Sequence, residues 1–315
     1  MKDLLFYRIP NTEIQQFSGQ FKKVDSFIGA KGFILSTFDK TKKFIFEKQE
    51  VEGVVHFTSS EGKIQSREEY LNSGGQFLEK IRTRKLSKAI FSRIKEVSTA
   101  NEPETIFRKL CENYPTAFVY LISSSLFGTW IGASPEVLLD IKNGVGKTIA
   151  LAGTKSSYDK TNWGEKEKDE QKIVSDFIAD KLLQLKVKKI QKSKVGELIA
   201  GPVKHLATNF FFEQGEVTVA DIIESIHPTP AVCGLPQKEA LELIREEEQH
   251  SRSLYAGVIG LVSEEESKLF VNLRCAQLFG HNAFLYLGGG YTNDSIVENE
   301  WIETENKAKT LLKVL

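Results

Sequence analysis

The segment Leu287–Leu315 reads LGGGYTNDSIVENEWIETENKAKTLLKVL and combines a glycine run, a polar loop and the pattern of an amphipathic helix. A helix that begins near Ser295 places Glu300, Glu303 and Lys307 on one face, because residues three and four apart are neighbours on a helix. Apolar positions near the end of the segment lie on the same face. Two acidic side chains and a lysine therefore share the stripe that is expected to face the core.

This charged stripe has two interpretations. Glu and Lys at helical spacing usually form a solvated surface pair with little effect on stability. The neighbouring Trp301, Leu311 and Val314 favour a buried face instead, and buried carboxylates are costly unless a cation or a hydrogen-bond donor satisfies them. Spacing alone leaves both a surface pair and a functional site open.

Composition limits the classes of protein to which the chain can belong. The chain has 315 residues, of which 41% are hydrophobic, enough for a large core. Lys and Arg together number 42, as do Asp and Glu, so no overall basic field favours nucleic acid or an anionic membrane. A small molecule is therefore the expected partner, and the oligomeric state is left open.

The cysteines and the N-terminus indicate the compartment. Cys111, Cys233 and Cys275 are scattered without a CxxC pair, so the pattern predicts neither a disulfide framework nor a zinc site. The first residues lack the apolar core of a signal peptide, and no apolar run is long enough to span a bilayer. We expect a cytoplasmic protein with reduced thiols.

The first 60 residues carry the short alternating runs GFILSTF, KFIFE and VVHFTSS, which predict antiparallel strands. A helix is predicted from Ser66 to about Arg84, and the Gly74-Gly75 pair is expected to divide it in two. The next run, KAIFSR at Lys88–Arg93, is compatible with a strand, but its pattern does not decide the matter.

A β-meander is predicted after a helix at about Pro103 to Cys111, formed by the runs TAFVYLIS and FGTWIGASPEVLLDI. It ends at Asn143-Gly144, a dipeptide typical of tight hairpins. The GVGKT motif there resembles the end of a phosphate-binding loop, but a strand-like run follows, and Ile141 stands where that motif needs glycine. A hairpin is therefore the favoured interpretation.

The second half of the chain contains three further features. The segment WGEKEKDEQKIVSDFIADKLLQL from Trp163 predicts a helix, with Glu170 on its apolar face. A loop with three prolines, His227 to Pro236, is interpreted either as a rigid connector or as a binding loop. The run KLFVNLRCAQLF predicts one strand, from whose middle Arg274 projects. With no repeat and no clear linker, we expect one α+β unit.

From about Leu86 to the C-terminus the chain carries an ordered set of motifs: SKAIFSR, IGASPEVLL, LAGT, EKDEQKIV, HPTPAVCG, the cluster of Glu248, Arg252 and Tyr255-Ala256-Gly257, NLRCA, GGGYT and EWIETENK. This set resembles the chorismate-utilising enzymes, the family of isochorismate synthase, salicylate synthase, anthranilate synthase component I and aminodeoxychorismate synthase component I. So many motifs in one order make a chance match implausible.

The resemblance implies a fold and a cofactor. The implied fold is α+β, with large antiparallel β-sheets packed together and flanked by helices, in a single catalytic domain over residues 1–315 with a shortened β-rich region at about 1–60. Position by position, Glu170 and Glu303 match the family's magnesium-binding glutamates, and Glu300 matches an acid that reaches the metal through water. We therefore expect Mg²⁺, which takes a few carboxylates, keeps some waters and can accept a substrate carboxylate.

The resemblance also implies substrate contacts. Arg274 matches the arginine that holds a substrate carboxylate, for which its planar fork suits bidentate pairing. Backbone N–H groups of the run Gly288–Gly290 can approach the same anion because no Cβ intervenes. The full set of expected substrate-binding residues is Gly153, Thr154, Ala231, Tyr255, Arg274, Gly289, Gly290 and Lys307.

Lys88 and Glu136 match the proton-transfer pair of isochorismate synthases. In that pattern the lysine is the general base that activates a water for attack at C2 of chorismate, and the glutamate protonates the departing C4 hydroxyl. Burial in a partly dry pocket disfavours the charged form of either residue type, as both roles require. The pair therefore predicts acid and base catalysis at one site.

Within the family, Lys88 and the loop residues Ala231-Val232 favour isochorismate synthase, an isomerase that uses water and needs no glutaminase subunit. Anthranilate synthases generally lack the lysine, and the other synthases differ in the loop. Salicylate synthase and aminodeoxychorismate synthase component I remain alternatives, as does a chorismate-binding protein without catalysis. Isochorismate feeds menaquinone or catecholate siderophores, and no residue here chooses between these two pathways.

Overall fold

The structure is a computed structural model that describes residues 2–49, 53–57, 63–200 and 203–315. Within these ranges the chain forms 17 β-strands and six α-helices. The N-terminal strands are β1 (Asp3–Arg8), β2 (Gln15–Val24), β3 (Gly32–Ser36) and β4 (Lys43–Lys48). The centre contains α1 (Arg67–Thr83), β5 (Lys88–Ser98), α2 (Pro103–Asn113), β6 (Phe118–Ser124), β7 (Gly128–Ser134), β8 (Val137–Lys142) and β9 (Val145–Ser156). The remainder contains α3 (Glu165–Gln184), β10 (Lys188–Lys192), β11 (Gly196–Ala200), β12 (Val203–Glu213), α4 (Val219–Ile226), β13 (Gly234–Leu235), α5 (Gln237–Glu247), β14 (Val258–Val262), β15 (Glu266–Val271), β16 (Cys275–Phe279), β17 (Asn282–Tyr291) and α6 (Val297–Leu312).

The described strands pair antiparallel in one continuous series. Hydrogen-bonded neighbours follow the order β13–β5–β17–β16–β7–β6–β1–β2–β4–β3–β14–β15–β8–β9–β12. Strands β10 and β11 both pair with β12 as well. Because β4 pairs with both β2 and β3, it joins two halves of the series. The predicted α+β fold of antiparallel sheets flanked by helices is confirmed.

Apolar side chains from the two halves meet in one core. Phe118 on β6 stacks on Phe270 on β15 with ring centroids 4.5 Å apart. Tyr7 on β1 stacks on Phe33 on β3 with centroids 5.8 Å apart. All four side chains are buried, and burial of large aromatic rings contributes strongly to hydrophobic stabilisation. The two halves are therefore packed face to face.

Two of the points at which the chain crosses between the halves lie between β7 and β8 and between β15 and β16. Strand β7 pairs with β16 in one half, whereas β8 pairs with β15 in the other. The predicted meander is therefore interrupted between β7 and β8, at Pro135, which has no backbone N–H to continue a ladder. The single strand predicted around Arg274 is also wrong, because Asn272–Arg274 separate β15 from β16 and Arg274 has a φ of 50°.

Helix α1 is continuous, so the prediction that Gly74-Gly75 divides it is wrong. Gly74 packs against the side chains of Tyr291 and Val297, where an added Cβ would lie 2.6 Å from the Tyr291 hydroxyl. An added Cβ on Gly75 would meet nothing within 4 Å. Gly74 therefore permits close packing between α1 and the region around α6 instead of breaking the helix.

Other local predictions have mixed outcomes. Strands β3 and β4 confirm the runs GFILSTF and KFIFE, but residues 54–57 of VVHFTSS form no strand, and its residues 58–60 lie outside the described ranges. The hairpin at Asn143-Gly144 is confirmed, with φ of 49° and 75° as a type I′ turn requires. None of the described helices is long and apolar enough to cross a membrane. The organisation as one catalytic domain stays a prediction.

Candidate active site

A cavity of about 70 Å³ lies where β5, β9, β12 and β17 meet helices α3 and α6. Eleven of the thirteen predicted site residues line it: Lys88, Glu136, Gly153, Thr154, Glu170, Ala231, Tyr255, Arg274, Gly290, Glu303 and Lys307. The other two, Gly289 and Glu300, do not line the cavity but lie against each other, since an added Cβ on Gly289 would be 3.2 Å from Oε2 of Glu300. Tertiary structure thus brings together residues from distant parts of the sequence.

Lys88, the first residue of β5, is 2% exposed and reaches into the cavity. Its Nζ donates a hydrogen bond to Oε2 of Glu170 at 3.0 Å. Helix α3 presents Glu170 on its buried face, as the apolar pattern of the helix predicts. On the neighbouring β17, an added Cβ at Gly290 would lie 3.0 Å from Cε of Lys88. The glycine therefore leaves room for the lysine side chain.

Glu136 lies in the crossover between β7 and β8 and is buried. Its carbonyl oxygen accepts a hydrogen bond from the Val271 N–H at 3.0 Å, which ties the two crossovers together. Burial raises the pKa of Glu136 to about 7. The charges that oppose this shift are those of Arg274, Lys88 and Lys307. The carboxyl group can therefore carry a proton near neutral pH.

Arg274 lies in the second crossover and lines the cavity. In the part of the chain that the structure describes, the salt bridges around the cavity use lysines, and none uses Arg274. Burial lowers the pKa of Arg274. Tyr255 lies nearby, with its hydroxyl 2.7 Å from the position of an added Cβ at Gly288. A buried guanidinium without a carboxylate partner is suited to bind an anion.

Helix α6 carries Glu303 and Lys307 one turn apart. Nζ of Lys307 donates hydrogen bonds to Oε1 of Glu303 at 2.5 Å and to the carbonyl oxygen of Gly288 at 2.8 Å. Burial alone would raise the pKa of Glu303, but the neighbouring lysines, with Lys307 foremost, outweigh burial and leave this pKa lowered. Glu303 therefore offers an ionised carboxylate to the cavity.

Glu300 lies one turn before Glu303 on α6 and is 1% exposed. Its Oε1 accepts hydrogen bonds from Lys166 at 2.6 Å and from Ser295 at 2.8 Å, whereas its Oε2 has no partner among the described residues. Burial, together with the charge of Glu303, raises the pKa of Glu300 to about 7. Lys166 also lies 3.8 Å from Glu170, so its ammonium group bridges two predicted metal ligands.

The three glutamates Glu170, Glu300 and Glu303 suit Mg²⁺ in chemical type. Mg²⁺ prefers oxygen ligands and usually combines one or two carboxylates with water. Among the described residues no group of three or more acidic, histidine or cysteine side chains surrounds one point, and lysines neutralise these carboxylates instead. The buried Oε2 of Glu300 still lacks a partner. The residues therefore fit a cation in donor type, whereas their charge is balanced by the three lysines.

Two residues of this region were outside the predicted set. His205 on β12 lines the cavity, with Nδ1 at 3.1 Å from the carbonyl oxygen of Gly153 and 3.2 Å from Oγ1 of Thr154. Burial lowers the pKa of His205 to about 3, so the ring is neutral. In KHLATNF the alternation places His205 on the face opposite Leu206 and Phe210, a pattern that predicts a strand and does not mark a binding residue. Lys166 is signalled by its position four residues before Glu170 on α3.

Residues 31–315 match the family model described as chorismate binding enzyme. Isochorismate synthase MenF of Bacillus subtilis (strain 168) is 31% identical over 230 residues, which cover 67% of this chain and 47% of the relative. Isochorismate synthase EntC of Escherichia coli (strain K12) is 28% identical over 250 residues, with coverages of 74% and 63%. Anthranilate synthase component 1 of Aquifex aeolicus (strain VF5) is 26% identical over 233 residues, with coverages of 68% and 46%. The chain thus spans between about half and two thirds of the length of these relatives.

Two solved structures share the fold over almost the whole chain. The 2,3-dihydroxybenzoate-specific isochorismate synthase DhbC of Bacillus anthracis superposes with a TM-score of 0.83 at 22% identity, covering 99% of this chain and 96% of that one. The menaquinone-specific isochorismate synthase MenF of Escherichia coli superposes with a TM-score of 0.82 at 19% identity, covering 99% and 88%. At these identities the likeness establishes the architecture alone.

Proposed function

The chain belongs to the chorismate-binding enzyme family, and on this premise we propose that it is an isochorismate synthase that converts chorismate to isochorismate with Mg²⁺ as cofactor. One observation carries the proposal: Lys88 and Glu136 are buried in the same cavity, and Glu136 can hold a proton near neutral pH. The two isochorismate synthases among the relatives described above support it.

The proposed proton chemistry divides between these two side chains. Lys88 takes a proton from a water molecule that attacks C2 of chorismate. The ring double bonds shift, and Glu136 gives its proton to the C4 hydroxyl, which leaves as water. A general acid must be protonated and a general base unprotonated at the working pH, and the raised pKa of Glu136 meets the first requirement. Water is the nucleophile, so this reaction needs no subunit that supplies ammonia.

The substrate carboxylates are assigned to the basic side chains of the cavity. Arg274 supplies a planar pair of N–H donors, and Lys307 and Tyr255 line the same cavity. The volume of about 70 Å³ is well below the roughly 300 Å³ at which small-molecule pockets usually begin. Chorismate must therefore displace the salt bridge between Lys307 and Glu303, or widen the cavity in another way, when it binds.

The cation is assigned to the acidic side chains. Glu170 on α3 and Glu303 on α6 are the proposed ligands, with Glu300 reaching the ion through water. When bound there, Mg²⁺ would offset the charge of these carboxylates and hold a carboxylate of the substrate. By holding the cation, the glutamates would fix the position of the chorismate ring relative to Lys88 and Glu136.

Incubation of the purified protein with chorismate and Mg²⁺, without ammonia, tests this proposal when the products are separated by chromatography. Isochorismate as the main product is expected, and addition of EDTA should stop its formation. A Lys88→Ala sample prepared in parallel controls for a contaminating enzyme. Salicylate with pyruvate would favour salicylate synthase, and a product that requires added ammonia would favour an amine-forming synthase. Chorismate binding without turnover would point to a binding protein.

A further inference from the structure

Behind the candidate active site lies a buried ion pair between Glu248, the residue after α5, and Arg252. The guanidinium donates two hydrogen bonds to the carboxylate, from Nε to Oε2 at 2.8 Å and from Nη2 to Oε1 at 2.6 Å. Each side chain is only 3% exposed. The arginine also stacks on Phe38, with its Cζ 4.3 Å from the ring centroid. The pair is thus held in a largely buried position by hydrogen bonds and by the ring contact.

The remaining hydrogen bonds of the pair go to backbone atoms of two other segments. Nη1 of Arg252 donates to the carbonyl oxygen of Val232 at 2.7 Å, and Nη2 donates to that of Ile90 at 2.9 Å. Oε1 of Glu248 accepts a hydrogen bond from the Ser92 N–H at 2.7 Å. One ion pair therefore joins the proline-rich loop to strand β5.

Both of these segments carry residues of the candidate site. Val232 follows Ala231 in the loop, and Ile90 lies two residues after Lys88 on β5. The Ile90 N–H donates to the carbonyl oxygen of Cys233 at 2.8 Å, and Leu235 pairs with Lys88 between β13 and β5. The ion pair thus braces a short junction that sets how far Ala231 lies from Lys88.

A buried ion pair is by itself weak evidence for function, because apolar residues can often replace one without loss of stability. Here the choice of partners is informative. The planar guanidinium makes four hydrogen bonds in fixed directions, two to the carboxylate and two to carbonyl oxygens of different segments. Neither Glu248 nor Arg252 lines the cavity, so a direct role in catalysis is excluded for the described arrangement.

We propose that Glu248 and Arg252 are positioning residues that hold the loop of Ala231 and the strand of Lys88 at the separation that the reaction requires. The kinetic part of this inference rests on the proposed function, whereas its structural part does not. Small displacements of catalytic groups are costly to turnover: a misplacement of about 1 Å can reduce the rate by about 100-fold.

The test compares Arg252→Lys with Arg245→Lys. Lysine keeps the charge at position 252 but offers a point donor that cannot reach both carbonyl oxygens and both carboxylate oxygens together. Arg245 is a matched control, because it pairs with Asp39 at 3.7 Å and is 56% exposed. Glu248→Gln is a milder second variant that keeps an acceptor for the Ser92 N–H, in case the first variant folds poorly.

Two measurements are made on each folded variant. With chorismate, Arg252→Lys should lose about 10- to 100-fold in kcat while KM stays within about threefold, since Arg274 and Lys307 are untouched. By hydrogen exchange and mass spectrometry, peptides covering residues 88–92 and 229–235 should exchange faster in Arg252→Lys, with the rest of the chain unchanged. Arg245→Lys should match wild type in both measurements.

The two readouts separate failure of this inference from failure of the proposed function. Unchanged exchange in both peptides, or a uniform increase over the whole chain, overturns the positioning role. A wild-type kcat in Arg252→Lys overturns it as well. If the wild-type protein makes no isochorismate, the proposed function fails, and the exchange comparison still decides whether the pair braces the junction.

Discussion

The surroundings of Glu136 raise the pKa of its carboxyl group. The carboxyl group is buried, and the cost of removing a charge from water outweighs the attraction of the three cations that face the cavity. Its raised pKa depends on the crossover between β7 and β8, which places an acidic residue inside the molecule. The same burial that would destabilise an ionised carboxylate lets the carboxyl group carry a proton near neutral pH.

The raised pKa of Glu136 predicts a pH-dependent difference in stability. Because this pKa rises from its ordinary value of 4.5 to about 7, the bound proton stabilises the folded protein fully below pH 4.5. That contribution is lost as the pH rises through 7. Each pKa unit corresponds to about 1.4 kcal/mol, so wild type should lose up to about 3 kcal/mol relative to Glu136→Gln between pH 5 and pH 9.

The measurement is denaturant unfolding of wild type and Glu136→Gln at a series of pH values. The exposed residue Glu264 provides a control, because its pair with Lys31 lowers the pKa of Glu264 and its titration lies below this range. Glu264→Gln should therefore follow the wild-type pH dependence above pH 5. A constant difference between wild type and Glu136→Gln over the whole range would contradict the assignment.

Removal of Lys88 should abolish turnover and spare substrate binding. A general base contributes about 10²- to 10⁴-fold to a rate, so Lys88→Ala should reduce kcat by at least about 100-fold. The dissociation constant for chorismate should change little, because the proposed carboxylate anchors are Arg274 and Lys307. Single-turnover kinetics and equilibrium binding measure the two effects separately.

Lys95→Ala is the matched control for Lys88→Ala, since Lys95 lies on the same strand but pairs with Glu305 at 2.6 Å and is 29% exposed. It should retain the wild-type kcat. Turnover near the wild-type rate in Lys88→Ala would remove the lysine from the role of base, whereas loss of chorismate binding would make it a substrate anchor instead.

At the scale of single elements, helix α1 shows how two adjacent glycines can have different roles. Gly74 faces Tyr291 at the end of β17 and Val297 at the start of α6, so it lies against the elements that carry the glycine run and the glutamates. Gly75 faces open space. Close packing at Gly74 therefore supports one side of the site, whereas Gly75 only weakens the helix.

Alanine substitutions at these two positions should have opposite effects on stability. In Gly74→Ala the new Cβ would lie 2.6 Å from the Tyr291 hydroxyl and 2.8 Å from Cγ1 of Val297, so overpacking should destabilise the protein by about 1–3 kcal/mol. Gly75→Ala should stabilise it by about 0.5–1 kcal/mol through helix propensity. Thermal unfolding measures both effects. A stabilised Gly74→Ala variant would show that Tyr291 and Val297 can shift without loss of stability.

For the whole molecule, the important feature is that the proposed cation ligands come from two distant helices. Glu170 lies on α3, and Glu300 and Glu303 lie on α6, which packs on β17 in the other half of the strand series. Lys166 already bridges the two helices by contacting Glu170 and Glu300. A bound divalent cation would link the same elements and should stabilise the fold as a unit.

Mg²⁺ should therefore raise the thermal stability of the wild-type protein, and Glu303→Gln should weaken that effect. A ligand at 100 times its dissociation constant stabilises the folded state by about 2.7 kcal/mol. Glu298 gives the control Glu298→Gln, because it lies on the same helix as Glu303 but is half-exposed and pairs with Arg67 of α1. The test is a Mg²⁺ titration of the melting temperature and of activity. An unchanged titration in Glu303→Gln would exclude Glu303 as a ligand.

Much of the site was predictable from local sequence. The helical spacing of Glu300, Glu303 and Lys307 places them on the face of α6 near the cavity, and the apolar pattern of α3 does the same for Glu170. The turn at Asn143-Gly144 follows from the preference of these residues for positive φ. Such features depend on residues a few positions apart, so periodicity and turn chemistry are sufficient to determine them.

Tertiary structure decided the features that depend on distant residues. The crossovers at Glu136 and Arg274 arise because β7 and β8 find partners more than 120 residues away in different halves of the strand series. The close contact at Gly74 and the place of His205 beside Gly153 likewise join remote segments. In the C-terminal segment Leu287–Leu315, the helical period determined which residues share a face. Only packing against β17 and α1, together with the ion pair from Lys166 of α3 to Glu300, decided what that face meets, because burial and pairing are properties of the whole fold.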